Sequence, residues 1–277
     1  MIKIGEDNIL KVLRETSVGL FLGDEEGNDV LLPNKYVEED FKIDDEIKVF
    51  VYKDSEDRII ATTLAPKIKV GEFAYLKAKA STSFGTFMDW GLEKDLLVPF
   101  RQQASEIESG KWYVVYMYLD TETDRLVGST RVNHFINFDD VDLEEGDKVT
   151  VLVTSVSEIG FSLIVNNQYK GLAYKNETFK KVTPGEKHFA YVKKIREDNR
   201  LDISFHKQGY KAVEKNTVQI LEKLMQNKSF LPLNDKSTPE EIAAFLEMSK
   251  KTFKKAIGAL YKQKIITIKN DGIYLND

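Results

Sequence analysis

Three stretches of the chain carry the same five landmarks at matching spacings. Gly5, Gly71 and Gly146 each precede a second glycine, Gly19, Gly85 or Gly160, by 14 positions. A further 14 positions on stand Pro33, Pro99 and Tyr174, and 39 or 40 beyond the second glycine stand Arg58, Arg125 and Arg200. Thr62, Ser129 and Ser204 each follow their arginine by four. Such agreement marks one module of roughly 65–70 residues used three times. A module of that size has only a small core and is marginal alone.

Each copy alternates short β-type runs with turn residues. The second copy reads VGEFAYLKAKA, SFGTFMDW, DLLVPF, KWYVVYMYLD and RLVGST; the third reads KVTVLVTSVS, GFSLIVN, YKGLAY, KHFAYVKKI and RLDISF. Both are five strand candidates. Five short strands without a long helix to cover them must close on themselves to bury a core and hide their edges. The expected fold is mainly β: three tandem five-stranded OB-type barrels, over residues 1–65, 66–136 and 137–208. The first glycines fall in turns before strand one, and the second ones enter strand two, where a barrel wall must bend.

The remaining residues, 209–277, change character. A helical stripe of Val213, Val218, Leu221 and Leu224 follows Gly209. Thr238, Pro239, Glu240 and Glu241 read as a capped helix start, with Ile242, Phe245 and Leu246 as its buried face. Ser249 caps a further helix whose core stripe is Phe253, Ile257 and Leu260. Asn270, Asp271 and Gly272 join two final strands as a hairpin turn. Three helices and a hairpin make a winged helix-turn-helix, an α+β carboxy-terminal domain.

Charge separates the two parts. The chain carries −5 overall, but residues 205–277 hold 13 Lys against 8 Asp and Glu, a net of +5, leaving −10 for the rest. Between Ser249 and Lys264 there is no acid, and Lys250, Lys251, Lys254, Lys255 and Lys262 lie on the helix side away from its core stripe. Lysines in that arrangement position a phosphate backbone without selecting a base. A purely protein-binding winged domain, with the lysines serving solubility, is the competing reading.

On the barrels, single-stranded nucleic acid calls for rings beside flexible cations, because bases stack on the rings and cations meet the phosphates. In the second copy Phe84 and Phe87 flank Gly85, and strand pairing would bring Lys77, Lys79, Arg101 and Arg125 to that outer face. In the third copy the corresponding set is Phe161, Tyr174, Tyr191, Lys193, Lys194, Arg196, Arg200, His206 and Lys207. The first copy offers Phe21, Lys35, Tyr36 and Arg58 among acidic runs and is expected to contribute less. Phe21 and Phe87, two after a glycine, could instead alternate into the barrel core. The recurrent arginines could equally start a strand and pair with an acid at a solvated turn.

Several chemistries are absent from the sequence. It has no cysteine, so disulfides and thiolate metal sites are excluded, and its three histidines are too dispersed for a short-range zinc site. No phosphate loop, nucleophile–histidine pairing or metal cluster stands out, so neither an enzyme nor a cofactor is expected. MIKIGEDNIL lacks a secretion signal and no window is apolar enough to span a bilayer, so a cytoplasmic protein without membrane partners is expected; a monomer is expected as well.

The repeated pattern resembles the S1-type RNA-binding repeat. That family opens its second strand with aromatic–glycine–x–aromatic, matched by Phe84, Gly85 and Phe87, and its closing strand is matched by Arg200, Leu201, Ile203 and Ser204. The family's histidine position is held here by Pro33, Pro99 or Tyr174; Val18 and Ile159 replace the first aromatic in copies one and three, and Ser162 the second in copy three. The copies are therefore expected to differ in affinity. Three such repeats before a winged domain containing Ser249, Lys250, Lys251, Phe253, Lys254, Lys255, Ala256, Gly258, Leu260, Tyr261, Lys262, Ile265, Asp271 and Gly272 are similar to the conserved virulence factor B family. The resemblance implies single-stranded RNA, including mRNA, as partner and a role in regulating expression of other genes, with RNA preferred to DNA. A scaffold acting on ribosomes or the transcription machinery is the alternative function.

Overall fold

The computed structural model describes residues 1–37, 41–178, 182–205 and 215–276. They form two compact units, Met1–Ile136 and Asn137–Asp277.

In the first unit, β1 (Asp7–Thr16), β2 (Gly19–Gly23), β3 (Asp29–Pro33), β4 (Glu46–Lys53) and β5 (Ile59–Thr62) make a closed barrel of order β1-β2-β3-β5-β4. The second module repeats the order with β6 (Phe73–Ser81), β7 (Gly85–Asp89), β8 (Leu96–Pro99), β9 (Trp112–Asp120) and β10 (Arg125–Ser129). Here the expected closure is incomplete: the five strands form a half-barrel sheet, β10-β9-β6-β7-β8. Its outer strands meet through side chains instead of a ladder, with Gly128 so close to β8 that a Cβ there would stand 2.8 Å from Val98.

The landmarks now have physical causes. The amides of Gly5, Gly71 and Gly146 donate to Val51, Met117 and Val192 carbonyls at 2.7, 2.9 and 2.8 Å, from left-handed backbone (φ +83°, +80° and +100°) that favours glycine. Gly19 pairs directly with Pro33, Gly85 with Pro99 and Gly160 with Tyr174, so the 14-residue spacing is the register of one hairpin. A Cβ at Gly19, Gly85 or Gly160 would stand 2.1, 2.4 or 2.1 Å from the carbonyl oxygen of Leu32, Val98 or Ala173. Close approach of the neighbouring strand, more than a bend, requires glycine there. Thr62 and Ser129 are fully buried, and their hydroxyls accept from the Leu64 and Arg131 amides at 3.1 and 3.2 Å.

The two modules of this unit share one apolar core. Trp90 of the second sets its ring edge against Phe50 and Tyr52 of the first, at 5.8 and 6.1 Å between centroids.

In the second unit, β11 (Lys148–Val156), β12 (Gly160–Val165), β13 (Tyr169–Tyr174), β14 (Lys187–Ile195) and β15 (Leu201–Ser204) close a barrel of the same topology, sealed by parallel pairing of Gly171 with Leu201. Val149, Val151, Val153, Leu163, Val192 and Ile203 fill it.

The carboxy-terminal region contains α1 (Lys215–Gln226), β16 (Phe230–Leu231), α2 (Pro239–Leu246), α3 (Lys250–Lys262), β17 (Ile266–Lys269) and β18 (Gly272–Leu275). β16 adds a third strand to the wing, in order β16-β18-β17. Thr238 closes a capping box: its hydroxyl accepts from the Glu241 amide at 3.2 Å, while its own amide donates to the Glu241 carboxylate at 2.7 Å. Ser249 caps α3 by accepting from the Thr252 amide at 3.1 Å. Two expectations shift. The core face of α1 is Thr217, Ile220, Leu221 and Leu224, with Val218 half-buried, and Phe245 of α2 is 42% exposed while Ile242 and Leu246 are buried. Gly209 and Val213 lie outside the described residues. No helix among the described residues is long and apolar enough to cross a membrane.

Candidate nucleic-acid interface

The second module presents its aromatic pair where the hairpin register puts it. Phe84 precedes Gly85 and is 58% exposed; Phe87, two residues on, shares the outer face and is half-buried, its ring edge-on to Phe84 at 6.3 Å. Both line a cavity of about 260 Å³ together with Arg125. Lys53 and Lys94 also line it, as does Asp57. The other expected cations do not. Lys77 is exposed across the ladder from Asp89, Lys79 pairs with Asp95 at 2.9 Å, and Arg101 lies 3.5 Å from Asp120. The sequence reading missed Lys53 and Lys94 because they sit in a strand end and a turn far from Phe84 in the chain.

Arg125 pairs with the Asp57 carboxylate, which Lys94 also approaches at 3.4 Å; these cations hold the Asp57 carboxyl below its ordinary range. Lys53 pairs with Asp124 at 2.9 Å. The recurrent arginines are thus all engaged with acids: Arg58 with Asp54 at 2.7 Å and Arg200 with Asp198 at 3.4 Å complete the set.

In the first module, Phe21 lies under the Arg14 guanidinium at 4.0 Å, Lys35 pairs with Glu93, and Tyr36 is buried. Its equivalent groove contains Asp29, Asp54, Glu56 and Glu93. That acidity opposes a polyanion.

On the third barrel three of the expected residues converge. Arg196 donates to the Tyr174 hydroxyl at 3.0 Å, and Lys193 Nζ stands 5.8 Å from the Tyr174 ring centroid. Glu177 holds Lys193 at 2.6 Å, and Asp202 accepts from Arg196 Nε at 2.8 Å, so this cluster is ordered by its own acids. Lys194 and Arg200 are exposed and Tyr191 is half-buried. Phe161 is a correction: expected on the outer face, it is 6% exposed and packs in the barrel core edge-on to Phe205. In this module the glycine is followed by an inward residue, and the outward neighbours are Ile159, 66% exposed, and Ser162. His206 and Lys207 lie outside the described residues.

The structure adds an exposed ring that the reading overlooked. Phe189 is 65% exposed with Lys148 Nζ 4.3 Å above it. It stands two before Tyr191 on β14, so the period-two rule points from one to the other. In the second module Trp112, 48% exposed, stacks on Tyr75 at 5.6 Å.

On α3, Phe253, Ala256, Ile257 and Leu260 face the core, while Lys251, Lys254, Lys255 and Lys262 are exposed and Lys250 is half-exposed. Lys250 and Lys251 occupy the first turn, which contains no acid. The positive end of a helix disfavours cations there, by roughly 0.3–1 kcal/mol each, so this placement works against local helix stability. Among the described residues no cluster of histidines or acids could hold a metal.

Comparison with known proteins finds family matches for the first barrel and the carboxy-terminal region. The CvfB-like winged helix domain matches residues 218–275, and the S1 domain matches residues 4–64. Both are non-catalytic, nucleic-acid-binding folds. Conserved virulence factor B of Staphylococcus epidermidis is 27% identical over 245 residues, covering 86% of this chain and 82% of that one. Conserved virulence factor B of Staphylococcus aureus is 26% identical, covering 98% and 94%. The uncharacterized protein YitL of Bacillus subtilis is 26% identical, covering 98% and 93%. A solved multidomain protein with nucleic acid binding domains from Streptococcus pneumoniae aligns over 99% of this chain and 98% of its own, at 22% identity and a TM-score of 0.42.

Proposed function

We propose, from the homology of this chain to the conserved virulence factor B family with its S1 and carboxy-terminal winged-helix domains, that it binds single-stranded RNA and through it regulates expression of other genes. The observation that carries the reading is the α3 surface, where lysines project from the side opposite the core without an acid in the helix. Lys250, Lys251, Lys254, Lys255 and Lys262 meet phosphates, and the Tyr174–Lys193–Arg196 cluster, with Tyr191, Lys194 and Arg200, supplies ring and cation contacts on the third barrel. In the second module Phe84 and Phe87 take bases, and Arg125, Lys94 and Lys53, which line the same cavity, meet the adjoining phosphate, while Lys77, Lys79 and Arg101 follow the backbone outside it. Because α3 offers lysine where base edges call for Arg, Asn or Gln, binding is weakly selective for sequence.

The test is titration of labelled single-stranded RNA at two salt concentrations without magnesium. Affinity is expected to fall steeply with salt, as phosphate contacts release counterions. Replacing Lys250, Lys251, Lys254 and Lys255 together by alanine is expected to cost at least about tenfold, or ~1.4 kcal/mol. An unchanged constant in the folded variant rejects the α3 path. Linked weak surfaces also favour long strands, so short oligonucleotides should bind poorly.

A further inference from the structure

We infer that the cavity between the first and second modules is a single-nucleotide site of the bound RNA, and that Asp57 of the first module occupies its phosphate position until RNA displaces it. The inference rests on the RNA-binding reading and assigns a ligand class and an internal competitor to one site within it.

The turn that carries Asp57 uses its backbone but not its side chain: the Asp57 amide donates to the Asp54 carbonyl at 3.1 Å. Asp54 accepts from the amides of Glu56 and Arg58 at 2.9 and 3.0 Å and from the Arg58 guanidinium at 2.7 Å, closing the β4–β5 turn on itself. Asp57, in left-handed backbone at φ +61°, is left to reach across to the second module. There its carboxylate meets Arg125 and Lys94, two of the cations beside Phe84 and Phe87. A carboxylate between a guanidinium and an ammonium is a small anion at a phosphate-like station.

The bridge is not needed to join the modules. Phe50, Tyr52 and Trp90 already join them through a buried aromatic cluster. The Asp57 pairs are about half exposed, and pairs of that kind contribute little to stability. What the carboxylate does effectively is neutralise the cations at the mouth of an aromatic pocket. The cavity, about 260 Å³, is smaller than the ~300 Å³ at which drug-sized sites begin, and suits one base and its sugar. Phe84, 58% exposed, supplies a ring at its mouth, and Leu97 and Val127 make its apolar wall. A base entering against these rings brings its own phosphate to Arg125 and Lys94, and Asp57 must yield.

The test uses the full chain and a labelled 20-nucleotide single-stranded oligouridylate. Asp57→Asn keeps shape and tolerates left-handed backbone, while removing the competing charge. It is expected to tighten binding by about three- to tenfold, the range set by freeing two half-exposed ion pairs, and to steepen the salt dependence as the freed cations take phosphate. Phe84→Ala in the Asp57→Asn background is expected to abolish the gain, and Arg125→Ala alone to weaken binding. Equal or weaker binding by a folded Asp57→Asn variant, as judged by an unchanged urea midpoint, overturns the inference. If the lysine replacements on α3 still weaken binding in that case, the RNA-binding reading stands without it. Wild-type protein that binds no oligouridylate at low salt overturns both.

Discussion

A methyl group added at Gly160 would stand 2.1 Å from the Ala173 carbonyl oxygen, a backbone atom that cannot swing away. Gly160→Ala is therefore expected to destabilise the third barrel by about 3 kcal/mol, in the range of strained backbone substitutions. Urea denaturation checks this, and a loss below 1 kcal/mol would show that the strand pair can part at little cost. The same landmark illustrates what single residues disclose. That Gly19, Gly85 and Gly160 face a neighbouring carbonyl is hairpin geometry that the structure supplies; their repetition was visible in the sequence. The direction of the next ring was not. Phe161 follows its glycine by one position and points inward, whereas Phe87 follows by two and faces out. With period two, a shift of one residue exchanges core for surface.

At the scale of elements, the turn into β14 is held by one carboxylate. Glu186 accepts from the Thr183 amide at 3.1 Å and contacts His188 Nε2 at 3.0 Å. The Thr183 backbone, its hydroxyl and then His188 hold the Glu186 pKa down to about 2 from an ordinary 4.5. A depressed carboxylate gives stability that is fully present above its unfolded value and lost as pH falls through its folded one. Denaturation midpoints are thus expected to drop between pH 4.5 and 2, and Glu186→Gln to show a shallower drop. Equal slopes for the two proteins would remove Glu186 from the account. The helices were the most legible elements, since Thr238 and Ser249 cap by contacts three residues away. Their outward faces were less so: Phe245 fits an apolar stripe on paper, yet it is 42% exposed. β16, two residues long, carries too little periodicity to be read as a strand.

At the scale of the molecule, the first two modules form one compact unit whose apolar residues share one core, so they are expected to unfold together. Trp90 is nearly fully buried in it, between Phe50 and Tyr52 of the neighbouring module. Trp90→Ala is expected to cost about 3–5 kcal/mol and to lower native-state hydrogen-exchange protection in β4 of the first module as well as β9 of the second. Protection retained in β4 would mean that the modules fold independently. The repeat suggests three barrels of one fold, and its departures from copy to copy suggest unequal affinity. In the structure their outer faces differ, one acid-lined, one roofed by a neighbour's turn, one bearing an ordered Tyr174–Lys193–Arg196 cluster.

Read by itself, the chain determined the five strands of each repeated module, the helix caps, the wing turn and the basic side of α3. Each follows from residues within one hairpin or one helical turn, where steric limits and period act directly. Tertiary structure decided which rings enter a core, that β8 and β10 meet without a ladder, and that Asp57 reaches Arg125 68 positions away. Those outcomes depend on which distant surfaces pack together, and spacing along a chain does not encode the balance of packing and desolvation that selects them.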